Sequence, residues 1–244
     1  MSGVVTIKNM SFTFDGKNIL KDVNITIEND KLYCMIGPNG GGKTILCKLM
    51  AGIYEPTSGT VDVTIDGKQY PMCDAVSERR IAAGFVFETG GLISNISVRD
   101  NIALPKQYFK KYKKAETEIK IDEIIDYLGI RSLINYRPAQ MSMSKRRIAN
   151  IAMALANEPD IIIYDNPVLG LDIVSAKAIK SLIKLIKEKY NMVTVVATND
   201  ICFAKEIADS LIYVDQTVVM CDAPEVVLHS DNVLIKEYLA GESL

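Results

Sequence analysis

The chain has 244 residues, a formal net charge of −2 and a hydrophobic fraction of 48%, which suits one large domain able to bury a full core. The near-neutral charge offers no basic field for nucleic acid, and no apolar run reaches the roughly 18 residues of a membrane-spanning helix. Five scattered cysteines without CxxC spacing suggest neither a disulfide framework nor a metal cage, and the opening residues 1–8 lack the basic-then-apolar pattern of a secretory signal, so a cytoplasmic protein is expected.

Leu32-Tyr33-Cys34-Met35-Ile36 is predicted as a buried strand, followed by a helix from Thr44 to Ala51 that Gly52 stops. Gly84-Phe85-Val86-Phe87 is a second strand. The texture then turns helical between Glu88 and Pro159. Ile121, Ile124, Ile125 and Leu128 keep i, i+3, i+4, i+7 spacing and Gly129 closes their helix. Another helix runs from Ile148 to Ala156. Ile161 to Tyr164 is a third strand, Ile179, Leu182, Ile183 and Ile186 line one face of a further helix, and Val193 to Ala197 is a fourth strand. Continuous apolar strands alternating with helices imply an α/β fold whose parallel sheet is covered on both faces. The expected organisation is a single domain: an α/β core at about 1–88 and 158–215, a helical subdomain inserted at about 89–157, and a tail at about 216–244.

Residues 106–114 are basic with aromatics between them. They fit either a solvated surface segment or a contact with a partner or an anionic membrane surface. The sequence leaves both open.

Gly37-Pro38-Asn39-Gly40-Gly41-Gly42-Lys43-Thr44 fits G-x-x-x-x-G-K-[ST] between a predicted strand and a predicted helix. Glycines there let backbone N–H groups converge on phosphate oxygens, and the helix N-terminus faces the anion. Lys43 supplies a charge for the outer phosphates and Thr44 a hydroxyl for magnesium. A nucleoside triphosphate, ATP with Mg2+, is the expected ligand. Asp165, at the end of the third strand, is the candidate to hold the metal through water, although Asp-Asn-Pro also favours turns.

With these motifs in place the chain resembles the ATPase subunit of ATP-binding-cassette (ABC) transporters over essentially its whole length. Phe12-Thr13-Phe14 is similar to the family's aromatic pair, of which Phe14 would stack on adenine. Pro167-Val168-Leu169-Gly170-Leu171-Asp172 is similar to the loop whose aspartate touches the partner subunit across a nucleotide-sandwich dimer. Phe87 to Leu92, Asn101 to Pro105 and the tail segment Ser230 to Gly241 look like the ATPase of Mla/Mce-type phospholipid transporters. The resemblance implies a P-loop ATPase fold of ABC type, a mixed-sheet core with an inserted helical subdomain. It also implies membrane permease subunits as partners, a homodimer or a heterodimer with another ATPase subunit, and a place on the cytoplasmic face of the inner membrane.

The chain departs from the family pattern at four places. Asn166 stands where the family has the glutamate that activates water, and an amide cannot take a proton at neutral pH. Asn199 stands where the family has a switch histidine. Glu88 aligns with the glutamine that senses γ-phosphate and metal; as a carboxylate it would ligate magnesium but also repel the triphosphate, and its role stays open. The signature glycines are replaced in Met141-Ser142-Met143-Ser144-Lys145, where Ser142, Ser144 and Lys145 remain candidates to meet phosphate. These replacements predict an ATP-binding transporter subunit in which hydrolysis is weak or absent. The alternatives are an active transport ATPase using Glu88 or Asp200, and a soluble regulatory ATP-binding protein. A nucleic-acid partner is not expected.

Overall fold

The computed structural model describes residues 4–109 and 114–241. The chain opens with β1 (Val4–Phe14) and β2 (Lys17–Ile27), then β3 (Leu32–Ile36), α1 (Lys43–Met50), β4 (Ser58–Ile65), β5 (Lys68–Pro71), α2 (Met72–Ser77) and β6 (Ala83–Val86). Helices α3 (Val98–Phe109), α4 (Lys114–Tyr127) and α5 (Met143–Ala156) follow. The chain then runs through β7 (Ile161–Asp165), α6 (Ile173–Lys189), β8 (Val193–Ala197), α7 (Ile201–Ile207), β9 (Ser210–Val214) and β10 (Val218–Asp222), ending in α8 (Pro224–Leu228) and α9 (Val233–Gly241).

The four predicted strands join β9 and β10, which the sequence reading did not name, in a six-stranded sheet in the order β10-β9-β3-β8-β7-β6. β6, β7, β8, β3 and β9 are parallel and β10 is antiparallel to β9. All five residues of β3, β7, β8 and β9 are buried, which is why these strands read as unbroken apolar runs. A second, antiparallel sheet, β2-β1-β4-β5, makes the fold mixed. Its hairpins turn on Asp15-Gly16 and Asp66-Gly67, all four residues at positive φ, as the twist of a two-residue hairpin loop demands.

Helix α1 is sandwiched between the sheets. Leu46 and Leu49 share one buried cluster with Val5, Ile7 and Val63 of the antiparallel sheet and Met35, Ile163 and Val195 of the parallel one. On the far face, Ile179, Ile183 and Ile186 of α6 pack with Phe203 of α7, Val227 of α8 and Ile235 of α9. The helical insertion has its own core, in which Val98, Ile102, Ile121, Ile125, Ala149 and Ala152 meet.

Two expectations need correction. Helix α5 begins at Met143, five residues before Ile148, because Ser142 caps it by accepting from the Lys145 N–H at 3.4 Å. The sheet continues past residue 215 into β10, and the tail beyond it packs on the chain's own core, where the Tyr213 hydroxyl donates to the Leu234 carbonyl at 3.1 Å. In the basic segment, whose role the sequence left open, Lys106 is buried with its Nζ 3.2 Å from Glu158 Oε1, an oxygen shared with Lys120 at 2.6 Å. Residues 110–113 lie outside the described residues.

Candidate functional site

The site lies where the carboxyl ends of β3, β7 and β8 finish side by side. Met35 and Asp165 both pair with Ala197 in parallel register, so the segments after these strands converge on one edge of the sheet, the place where ligands bind in open α/β folds. The loop after β3 is built so that few residues other than glycine fit. A Cβ on Gly37, at φ +143°, would lie 2.0 Å from the Val214 carbonyl oxygen, and one on Gly42, at φ +98°, would lie 2.5 Å from Leu20 Cδ2. Gly41 N–H donates to the Pro38 carbonyl at 3.1 Å, closing the turn. α1 then starts at Lys43 with no side chain capping it, which leaves its first N–H groups directed outward at an anion-binding helix end.

Lys43 is buried and its ammonium donates to the carbonyls of Gly37 at 2.6 Å and Pro38 at 2.9 Å. Thr44 Oγ1 donates to Asp165 Oδ1 at 3.1 Å. β7 includes Asp165 as its last residue, one beyond the expected end, and burial pushes its carboxyl above the usual aspartate value, with the Thr44 bond opposing and nearby Glu88 reinforcing the rise.

Asn166 follows in the left-handed region at φ +46°, its backbone N–H anchored to the Ala197 carbonyl at 2.8 Å. That turn sends its amide across to donate to Glu88 Oε2 at 2.6 Å. Asn199 reaches the loop from the other side, donating to Asn39 Oδ1 at 2.7 Å. Asn39, Gly40, Gly42, Lys43, Thr44, Glu88, Asn166 and Asn199 thus line one cavity of about 300 Å3. The donors available to a metal here are the oxygens of Thr44, Asp165 and Glu88. They suit a hard divalent ion such as magnesium. Among the described residues no cluster of three or more His, Cys, Asp or Glu could hold a metal by itself.

The remaining expected residues lie apart from this cavity. Phe14 ends β1 with 55% of its surface exposed, free to present a ring face. Ser142 Oγ lies 3.1 Å from Ser144 Oγ, and Met143 beside them is exposed, as is Lys145. Ser142, Ser144 and Lys145 do not line the phosphate-loop cavity. Met143 reaches instead toward Gly170, where an added Cβ would meet its Sδ at 3.2 Å. Asp172 caps α6, accepting from Ser175 N–H at 2.9 Å and Ser175 Oγ at 2.6 Å, and these bonds hold its carboxyl below the usual range.

Sequence reasoning gave no role to Arg147. It is buried, donates to the Phe87 carbonyl at 2.5 Å and so ties α5 to the strand end that carries Glu88. Burial lowers its pKa, with Glu88 and Asp165 opposing that shift. Nothing in a one-dimensional reading marks this tether, because both arginines of the pair 146–147 look alike in sequence.

A family model described as ABC transporter matches residues 20–169, more than half of the chain. The chain belongs to the ABC transporter family. The cassette is 30% identical to the intermembrane phospholipid transport system ATP-binding protein MlaF of Haemophilus influenzae, over 98% of this chain and 91% of that one. It is 29% identical to the L-cystine import ATP-binding protein TcyC of Bacillus subtilis, over 91% of this chain and 90% of that one. Against the sulfate/thiosulfate import ATP-binding protein CysA of Synechocystis, also 30% identical, it spans only 57% of the relative's length. Among solved structures, the dimeric ATP-binding cassette MJ0796 with ADP and phosphate bound superposes with a TM-score of 0.78 at 27% identity, over 90% of this chain and 98% of that one. The cassette is therefore an ATP-binding subunit of the ABC transporter type. Among the described residues no helix is long and apolar enough to cross a membrane.

Proposed function

We propose that this cassette is the nucleotide-binding subunit of a lipid-type ABC transporter that binds Mg-ATP in the Gly37–Thr44 loop and hydrolyses it weakly or not at all. The observation that carries this reading is the residue beside Asp165. Asn166 is an amide, and one of its N–H donors is held by Glu88 at 2.6 Å. It has no basic atom with which to deprotonate water. General-base catalysis contributes roughly 10²–10⁴-fold in rate, and Asn199 and Met143 replace two further groups that relatives use.

Binding suffers less from these replacements. Loop N–H groups and Lys43 would hold the phosphates, Phe14 the adenine, and Thr44, Asp165 and Glu88 the Mg2+, which supplies charge neutralisation at the outer phosphates. In a nucleotide-sandwich dimer, Ser142, Ser144, Lys145 and Asp172 would face the second ATPase subunit. The partners are membrane permease subunits and a like or unlike cassette, with this chain peripheral on the cytoplasmic face of the inner membrane. The similarity to the phospholipid-system protein over 98% of the chain supports a lipid cargo. The test is steady-state ATPase activity of the cassette purified with its permease. Turnover below about 0.1 s⁻¹, far under the median enzyme value of roughly 10 s⁻¹, is expected; ordinary turnover would refute it.

One observation favours an alternative. Glu88 lines the phosphate-loop cavity with its carboxylate fixed by Asn166, and would serve as proton acceptor in an active ATPase. That reading predicts loss of measurable turnover in Glu88→Gln. Asp200 is a weaker candidate, because its carboxylate caps α7 by accepting from Phe203 N–H at 2.8 Å.

A further inference from the structure

The cavity at the phosphate loop carries a carboxylate in its lining beside the cation that would hold an anion. Among the described residues lining the cavity, Lys43 is the cation and Glu88 the anion. Behind the lining stands a second carboxylate, Asp165, bonded to Thr44. Arg147 acts on both carboxylates and Lys48 on Asp165, but neither cation lines the cavity, so Glu88 is the carboxylate that directly faces the place where a triphosphate must bind. Asn166 prevents the obvious relief. Its amide holds Glu88 at 2.6 Å and its backbone is fixed to Ala197, so the carboxylate is tethered at the cavity instead of swinging into solvent.

We propose that Glu88 makes nucleotide affinity conditional on a divalent cation: with the cation bound, its carboxylate is a ligand, and without the cation it repels the triphosphate. A glutamine at this position would remove the negative charge from the lining and make the affinity less dependent on the ion. Glu88 is thereby a specificity-determining residue that selects the metal complex of the nucleotide over the free nucleotide. The proposal rests on the reading that the loop binds a nucleoside triphosphate. It holds whether or not hydrolysis follows.

The experiment is calorimetric titration of the full chain with a non-hydrolysable ATP analogue, in Mg2+ and in EDTA, for wild type, Glu88→Gln and Lys43→Ala. The ratio of the two dissociation constants is expected to be at least about tenfold larger in wild type than in Glu88→Gln, because a unit charge a few ångströms from the phosphates is removed. The gain should come chiefly as tighter binding of Glu88→Gln in EDTA. Glu88→Ala, which removes the charge together with the Asn166 bond, should shift the ratio the same way. Equal ratios in wild type and both variants, with binding intact, would overturn the proposal alone. No binding by wild type in either condition, or undiminished binding by Lys43→Ala, would overturn the nucleotide reading and this proposal with it.

Discussion

The Asn166 side-chain amide donates to Glu88 Oε2 at 2.6 Å, which joins two positions 78 residues apart in sequence into one hydrogen-bonded pair. A carboxylate introduced at 166 would therefore meet another carboxylate at hydrogen-bond distance, and two such groups cannot both ionise cheaply. Asn166→Glu alone should leave turnover at or below the wild-type level. Asn166→Glu combined with Glu88→Gln restores a carboxylate–amide pair and should raise turnover by about 10²-fold, the lower range of general-base catalysis. Matched ATPase assays of the three variants decide the matter. An equal rise from Asn166→Glu alone would show that the two positions are not coupled.

Gly37→Ala addresses the loop itself. The new methyl would sit 2.0 Å from the Val214 carbonyl oxygen at a φ of +143°, a contact that forces β3 and β9 apart. Backbone strain and overpacking together should cost at least about 2 kcal/mol, seen as a lower midpoint in denaturant unfolding, and nucleotide binding should fall in parallel. Gly40→Ala is the control. Its Cβ meets nothing within 4 Å although its φ is +79°, so the loss should be smaller.

The parallel sheet and the phosphate loop were legible in sequence because buried parallel strands read as solid apolar runs and the loop has fixed spacing. The antiparallel sheet was not. β1 alternates buried and open residues, but register shifts between Ile7 and Met10 and between Met10 and Phe12 break the period of two. The Asp-Gly pairs at 15–16 and 66–67 carried a hairpin signal that the reading did not use. Glu88 and Asn166 were each singled out as departures, yet their contact depends on the left-handed turn at Asn166, which single-residue propensity does not reveal.

Met143 and Ser144 occupy the N-terminal turn of α5, with Met143 54% exposed. If this turn meets nucleotide on a partner subunit, its bulk limits the approach of backbone N–H groups. Met143→Gly with Ser144→Gly should strengthen ATP-dependent self-association by about tenfold, the worth of one charge-assisted hydrogen bond. Analytical ultracentrifugation with and without Mg-ATP checks this. Unchanged association would place this turn outside the dimer contact.

Arg99 donates to Asp122 at 2.8 Å and to Glu118 at 2.7 Å, linking α3 to α4. The guanidinium holds the Asp122 carboxyl below its ordinary value of 3.8. Its stabilisation is therefore present in full above that value and is lost as pH falls through the lowered one. Both side chains are substantially exposed, so Asp122→Asn should cost only about 0.5–1 kcal/mol at pH 7. Acid titration of thermal stability should show a shallower decline below pH ~4 in the variant. Identical acid limbs would remove the pair from the stability of the helical insertion.

The most direct measurement combines binding and turnover on one preparation: calorimetric titration of Mg-ATP into the cassette held with its permease, followed by phosphate release from the same sample. The expected result is saturable Mg-ATP binding that Lys43→Ala abolishes, with phosphate release below about 0.1 s⁻¹, far under the roughly 10 s⁻¹ of a median enzyme. Absence of Mg-ATP binding, or binding accompanied by phosphate release at ordinary enzyme rates, would contradict the account.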